Sequence, residues 1–145
     1  MQVALDTNVW VDWLVFDDPS IAPLKAAHGD GRIRIVVDEA CLLELSEVLD
    51  YPEFRLDDVQ KEQILAEVNR CSVRHIDRQS AHPPGLPRCS DPDDQKFLML
   101  AHSAGADWLL TRDKALLKLS RRLKAAGLRV GSPSEWSAAF ATLVD

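Results

Sequence analysis

The sequence predicts an α/β fold in which helices cover both faces of a mostly parallel central sheet. Two observations predict this class. Short apolar runs alternate with longer segments of helical periodicity, and 46% of the residues are hydrophobic, which is enough for a core. Strands that alternate with helices are joined by right-handed crossovers and form parallel sheets. A chain of 145 residues has the size of one domain, so we predict a single domain over residues 1–145.

In the first half of the chain, predicted strands and helices follow one another with recognisable boundaries. Val3-Ala4-Leu5 is a short apolar run that ends at an acid, which predicts a buried strand. Asn8 is a favourable N-cap, so a helix is predicted to follow it, and Pro52 prevents the easy continuation of a later helix. The elements predicted here are strands at 3–5 and 32–37 and helices at 9–15, 20–28, 39–49 and 57–70.

The second half contains a long proline-rich segment. Residues 78–92 hold four prolines and one glycine, too many for a helix or strand, and a long loop in a compact domain is usually a linker or functional. Gly105 ends one predicted helix, and Pro133 occupies the first turn of the last one. The elements predicted here are strands at 72–76, 107–111 and 128–130 and helices at 93–105, 113–126 and 133–143.

The net charge of −6 argues against a protein that coats nucleic acid nonspecifically, but the charge is uneven. Residues 1–111 carry 10 basic and 20 acidic side chains, net −10, whereas residues 112–145 carry 7 basic and 3 acidic ones, net +4. All seven of those basic residues lie between Arg112 and Arg129. This stretch is either a solvated helix face or a phosphate-contacting patch beside an acidic site.

Three features favour a cytoplasmic protein without a membrane anchor. The sequence has no run of about 18 apolar residues that would predict a membrane span. Its first residues form no basic region, and Asp6 interrupts the first apolar run, unlike a secretory signal. The three cysteines are odd in number and lack CxxC spacing, which favours a reducing compartment.

Acidic residues follow two of the predicted strands. Asp6 comes directly after the strand at 3–5, and one residue separates Asp113 from the strand at 107–111. The carboxyl ends of parallel strands meet at one edge of a sheet, where ligand sites form. If these two strands are neighbours, their carboxylates converge there, although packing of the core requires no acid at either position.

Asp94 and Glu44 offer two further carboxylates, each with an alternative interpretation. Asp94 lies in the first turn of the helix predicted at 93–105, on the side of its apolar stripe. The alternative is helix capping, with Asp91 as the N-cap and Asp94 as an acid of the first turn. Glu44 lies at the border of the apolar face of the helix at 39–49, where a glutamate is more often only solvated.

Taken together, these carboxylates predict a metal site. Acids crowded together repel one another and raise their pKa values, and a hard divalent cation relieves that repulsion. Mg²⁺ prefers oxygen ligands and suits carboxylates combined with a substrate phosphate, whereas the sequence lacks the Cys/His spacing of a zinc site. Such an ion lowers the pKa of a bound water and polarises a phosphoryl oxygen, which suits phosphodiester hydrolysis.

Three segments in the same order resemble the PIN-domain ribonucleases: ALDTNVWVDWL, EACLLELSEVLDYPEF and DPDDQKFLMLAHSAGADWLLTRDKALLKL. The resemblance runs from about Val3 to Val130 and looks closest to the toxins of bacterial toxin–antitoxin pairs. It implies a three-layer α/β/α sandwich and a Mg²⁺- or Mn²⁺-dependent endoribonuclease that cleaves single-stranded RNA. The acids of the family correspond to Asp6, Glu44, Asp94 and Asp113, and its small polar helpers correspond to Asn8 and Thr111.

The resemblance also implies partners. Toxins of this kind are usually homodimers and are neutralised by a small antitoxin protein. The motif DPDD offers more than one acid for the third acid of the family. The number of residues between the acid and the apolar run FLMLA favours Asp94, which leaves Asp91 to cap the helix or hold an outer-shell water. Residues 78–92 have no counterpart that can be carried over, and a lid or a substrate rim are both open roles for them.

The implied mechanism gives each residue a role. Asp6, Asp94 and Asp113 are expected to ligate the metal, and Glu44 is expected to complete the shell or position the attacking water. The two small polar residues are expected to orient carboxylates through hydrogen bonds. Three basic residues near the last acid are expected to steer the RNA backbone: Arg112, Lys114 and Lys118.

Other functions fit parts of the sequence. An aspartate-based phosphatase usually needs a second acid two residues after the first, where Asn8 stands instead. A phosphorylatable receiver domain needs an early acidic pair and a late lysine in an order that appears only in fragments. A housekeeping nuclease, or an inactive RNA-binding module of the same fold, would share the site residues, because fold likeness alone does not settle function.

Overall fold

A five-stranded parallel sheet forms the centre of the protein in the computed structural model, which describes residues 1–76 and 82–144. Its strands are β1 Gln2–Leu5, β2 Arg34–Val37, β3 Ser72–Arg74, β4 Trp108–Leu110 and β5 Arg129–Gly131. The order across the sheet is β3-β2-β1-β4-β5, and every neighbouring pair is parallel. The central strand β1 therefore has β2 on one side and β4 on the other.

Helices connect the strands and flank the sheet. They are α1 Thr7–Leu14, α2 Ala22–Gly29, α3 Glu39–Leu49, α4 Asp58–Cys71, α5 Gln95–Ala104, α6 Lys114–Leu117, α7 Ser120–Ala125 and α8 Pro133–Val144. Short 3-10 turns precede α2, α4 and α5 at Pro19–Ile21, Pro52–Phe54 and Pro92–Asp94. Within the described ranges, each helix is too short or too polar to cross a bilayer.

The two faces of the sheet bury separate hydrophobic clusters. Side chains alternate between the faces along a strand, so Val3 and Leu5 of β1 join one cluster while Ala4 joins the other. The first cluster includes Trp136 of α8, and the second includes Phe97 of α5. The α/β class and the parallel sheet between helical layers are thus confirmed.

Most predicted elements are present with bounds within two residues of those expected. The part of the proline-rich segment from 82 to 91 forms neither helix nor strand, as predicted, whereas residues 78–81 lie outside the described ranges. The helix predicted at 93–105 begins as a 3-10 turn and becomes regular only at Gln95. Gly105 ends it in the left-handed conformation, at φ 66°.

Two local predictions are wrong. The first helix is capped at Asp6, which has extended backbone and whose carbonyl accepts the Val9 and Trp10 N–H groups, so Asn8 lies inside the first turn. The helix predicted at 113–126 is broken into α6 and α7, because the N–H of Leu119 bonds to the carbonyl of Leu116, only three residues back.

Candidate active site

Three aspartates converge beside the carboxyl end of β4. Asp113 is the N-cap of α6 just beyond that strand. Asp91 precedes the 3-10 turn that leads into α5, and Asp94 is the last residue of that turn. Carboxylate oxygens of Asp91, Asp94 and Asp113 all lie within 4.8 Å of one another. The structure therefore brings together two of the four predicted acids and adds Asp91, for which the sequence left a capping or outer-shell role.

Asp94 is the buried member of this acidic group. It is only 8% exposed, and its Oδ2 atom has no hydrogen-bond partner among the described residues. Burial, a hydrogen bond with Asp113 and the charge of that neighbour raise the pKa of Asp94 to about 8, and the charges of Asp6 and Asp91 add to the effect. A buried carboxylate surrounded by other carboxylates is suited to bind a cation.

Asp94 lies in the first turn after the N-cap Asp91, as in the capping alternative, but capping does not account for its side chain. Its side chain makes no capping hydrogen bond to α5. The capping contact belongs to Asp91, whose Oδ1 accepts the N–H of Asp93 at 3.0 Å. Capping therefore accounts for the side chain of Asp91 and leaves the buried Oδ2 of Asp94 without a hydrogen-bond partner among the described residues.

Asp6 is joined to the acidic group through Thr111. Asp6 follows β1 and is 4% exposed, and the fully buried Thr111 donates its hydroxyl to Asp6 Oδ2 at 2.7 Å. The same Thr111 oxygen accepts the N–H of Asp113 at 3.0 Å. Burial raises the pKa of Asp6, the Thr111 hydrogen bond opposes that rise, and the charges of Glu44 and Asp113 add to it.

Glu44 reaches the same region from α3, but both of its carboxylate oxygens already accept hydrogen bonds from other side chains. The Thr7 hydroxyl donates to Oε2, and the Lys96 ammonium lies 2.6 Å from Oε1. Lys96 also donates to the carbonyl of Asp93 at 2.6 Å. Glu44 is thus a paired carboxylate beside the aspartates, and it is absent from the group that shares one centre.

Thr7 and Lys96 were missed in the sequence analysis. The contact of Lys96 joins residues 52 positions apart, which no helical or strand periodicity links. Asn8, expected to orient a carboxylate, is exposed and makes no side-chain hydrogen bond within residues 1–76 and 82–144. The reason is the helix start: with α1 beginning at Thr7, the next residue is turned about 100° away around the helix.

The basic residues expected to steer RNA differ in their availability. Arg112 Nη1 lies 3.0 Å from Asp12 Oδ2 and 3.8 Å from Asp18 Oδ2, and Nη2 donates to Ser20 Oγ at 2.5 Å. Lys114 and Lys118 are exposed and form no ion pair in the described part of the chain. Arg112 is therefore committed to the surface of α1 and the turn that follows it.

The acidic group suits a hard divalent cation. All three of its members offer carboxylate oxygen, the ligand that Mg²⁺ and Mn²⁺ prefer. The buried Oδ2 of Asp94, without a partner, is the kind of atom that a bound ion would satisfy. The residues present therefore fit such an ion, and an ion would offset the repulsion that raises the pKa of Asp94.

Comparison with protein-family models identifies the family of the chain. A protein-family model described as a PIN domain matches residues 2–115, which include four of the five strands and every acid discussed above. No curated protein matches the chain. The strand β5 and the helices α7 and α8 lie beyond the matched residues.

Proposed function

This chain belongs to the PIN domain family, and from that membership we propose that it is a divalent-metal-dependent endoribonuclease that hydrolyses phosphodiester bonds of single-stranded RNA. PIN domains are generally nucleases that use divalent metal ions. The observation that carries the proposal is the convergence of Asp91, Asp94 and Asp113 around a buried oxygen without a partner.

Mg²⁺ or Mn²⁺ would be held by Asp94 and Asp113, with Asp91 and Asp6 as direct or water-mediated ligands. When bound, the ion supplies Lewis-acid chemistry that offsets the negative charge developing on the phosphoryl group. In this proposal Asp6 keeps the role expected from the sequence, supported by the hydrogen bond that it accepts from Thr111. The charge of Asp113 also raises the pKa of Asp6, and the charge of Asp6 raises the pKa of Asp94.

The remaining polar residues act on these carboxylates or on water. Thr111 fixes the orientation of Asp6 and, through the Asp113 N–H, the start of α6. Glu44 is held by Thr7 and Lys96, so it has a defined position from which to accept a hydrogen bond from the attacking water. We assign Glu44 to water positioning rather than to direct ligation, because both oxygens already accept protein hydrogen bonds.

The finer biological role follows from the sequence resemblance. We propose that the protein is the toxin of a toxin–antitoxin pair, acts as a homodimer in the cytoplasm and is neutralised by a small protein partner. The support is the likeness of the three motifs to those of PIN-domain toxins. Co-expression with a small neighbouring open reading frame tests this role: it should restore growth that the nuclease alone arrests, and no rescue would count against it.

Cleavage of a labelled single-stranded RNA by the purified protein tests the nuclease proposal. Cleavage should require Mg²⁺ or Mn²⁺, stop in EDTA, and fall more than about 100-fold in the Asp94→Asn variant. The Asp30→Asn variant is a matched control, because Asp30 is an exposed aspartate at the end of α2. Equal cleavage by wild type and the Asp94→Asn variant would overturn the proposal.

A further inference from the structure

A basic cleft lies along the β5 edge of the sheet, and all of its charged lining residues lie beyond the residues that match the family model. The cleft has a volume of about 290 Å³ and lies between α7, β5 and the start of α8. Three cationic side chains line it together with one carboxylate: Arg121, Lys124, Arg129 and Glu135. Its formal charge is therefore three positive against one negative.

The cations of this cleft are available to a ligand. Across residues 1–76 and 82–144, none of the three forms an ion pair with a carboxylate. Glu135 is engaged elsewhere, since its Oε1 accepts the N–H of Ser132 at the start of α8. Unpaired cations in a concave site attract a ligand with negative charge.

Arg129 is held in place by an aromatic ring. Its guanidinium carbon lies 4.5 Å from the centre of the Trp108 ring, a cation–π contact that orients the planar group. An oriented guanidinium presents paired N–H donors that match two phosphate oxygens. Trp108 itself is only 5% exposed, so the cleft offers no open aromatic face on which a base could stack.

The cleft is connected to the acidic group by the segment that forms α6 and α7. Starting from Asp113, exposed cations recur along that segment at Lys114 and Lys118, and it continues to Arg121 and Lys124. Trp108 lies in β4, and Thr111 follows the end of that strand. The two residues are three positions apart, which is about 10 Å along an extended chain, so the cleft lies about that far from the edge where the strands end.

We propose that a set of cations, named here the basic strip, binds the phosphate backbone of the RNA strand at nucleotides away from the scissile bond. The basic strip consists of Lys114, Lys118, Arg121, Lys124 and Arg129. This inference rests on the proposed nuclease function. The strip reads phosphate charge and not base identity, because its donors are cations and its ring is covered. The strip omits Arg112, which is paired with Asp12, and gives a role to three residues that the sequence placed only within a basic stretch.

RNA binding by the full chain tests the basic strip. The variant R121Q/K124Q/R129Q is compared with R32Q/R34Q/R55Q, which removes the same charge from three exposed arginines outside the strip. A labelled single-stranded RNA is titrated in EDTA, so that binding is measured without metal-dependent cleavage. The strip variant should bind about tenfold more weakly at low salt, and the slope of log affinity against log salt should fall by about 2.

The outcomes separate this inference from the nuclease proposal. Equal binding by the two triple variants, or no salt-dependent binding by the wild type, overturns the basic strip. If the strip variant binds RNA weakly but the wild type cuts no RNA with Mg²⁺ or Mn²⁺, the strip stands and the nuclease proposal fails. If cleavage is normal and the strip variant keeps the KM of the control, only the strip is wrong.

Discussion

The Lys96 ammonium lies 2.6 Å from Glu44 Oε1 and joins the first turn of α5 to the middle of α3. Both side chains are about three-quarters buried, with 26% and 23% exposure. A hydrogen bond between charged groups contributes about 1.5–3 kcal/mol when it is shielded from water. The pair therefore fixes Glu44 beside the aspartates and also stabilises the contact between two helices.

The Lys96→Gln variant should lose both stability and activity. We expect its free energy of unfolding to fall by about 1.5–3 kcal/mol and cleavage to fall about tenfold. Urea unfolding and RNA cleavage measure the two effects. Lys61→Gln is the matched control, because Lys61 lies at the same 2.6 Å from Asp50 but its partner is 64% exposed, so we expect a loss below about 1 kcal/mol. Equal losses in the two variants would contradict a special role for Lys96.

The raised pKa of Asp94 predicts the pH dependence of the metal-free protein. Between the ordinary value of 3.8 and about 8, native Asp94 keeps a proton that the unfolded chain has released. Stability in EDTA should therefore fall as the pH rises through this window. Asp94→Asn removes the effect, so thermal unfolding should show a gain in its melting temperature that is larger at about pH 8 than at about pH 5. Parallel profiles for wild type and variant would contradict this assignment, and Asp30→Asn is the control.

Metal binding should release a proton. At about pH 7 Asp94 is largely protonated in the metal-free protein, and a ligating carboxylate must be ionised. Calorimetric titration with Mn²⁺ in buffers of different ionisation enthalpy should give about one proton released per ion, and none in Asp94→Asn. At a free ion concentration of about 100 times Kd, Mn²⁺ should also stabilise the wild type by about 2.7 kcal/mol. Binding of equal strength by the variant would place the ion elsewhere.

The hydroxyl of Thr111 should contribute more to stability and cleavage than the size of its side chain does. Thr111→Val keeps the shape of this fully buried residue but removes the donor to Asp6 and the acceptor for the Asp113 N–H. We expect a loss of about 1–3 kcal/mol in stability and of about 10- to 100-fold in metal affinity or cleavage. Thr111→Ser keeps the hydroxyl and should recover most of the activity, as measured by cleavage and Mn²⁺ titration. A Ser variant as impaired as the Val variant would indicate a packing role.

Much of the fold could be predicted because its signals are local. The run Val3-Ala4-Leu5 and the helix at 39–49 carry their boundaries in adjacent residues, an acid after the strand and a proline after the helix. The meeting of Asp6 and Asp113 at one edge of the sheet could be predicted as well, since β1 and β4 are parallel neighbours and Thr111 joins the two residues there.

The rest depends on contacts between distant segments. The pairing of Glu44 with Lys96, and of Arg112 with Asp12, joins residues on different elements and leaves no periodic trace in the sequence. The break at Leu119 is equally hidden, because Leu116 and Leu123 are seven residues apart and both buried, as in a continuous helix.

The position of β1 at the centre of the sheet determines when the candidate site can assemble during synthesis. Its partner β4 is paired through Val3 and Trp108, about a hundred residues later, and the contact between Asp6 and Thr111 spans 105 positions. A nascent chain on the ribosome therefore cannot form the contact between Asp6 and Thr111 until residue 111 has emerged. If the chain is the nuclease proposed above, the two halves of its polar network can meet only after the segment that carries Thr111 and Asp113 has been made.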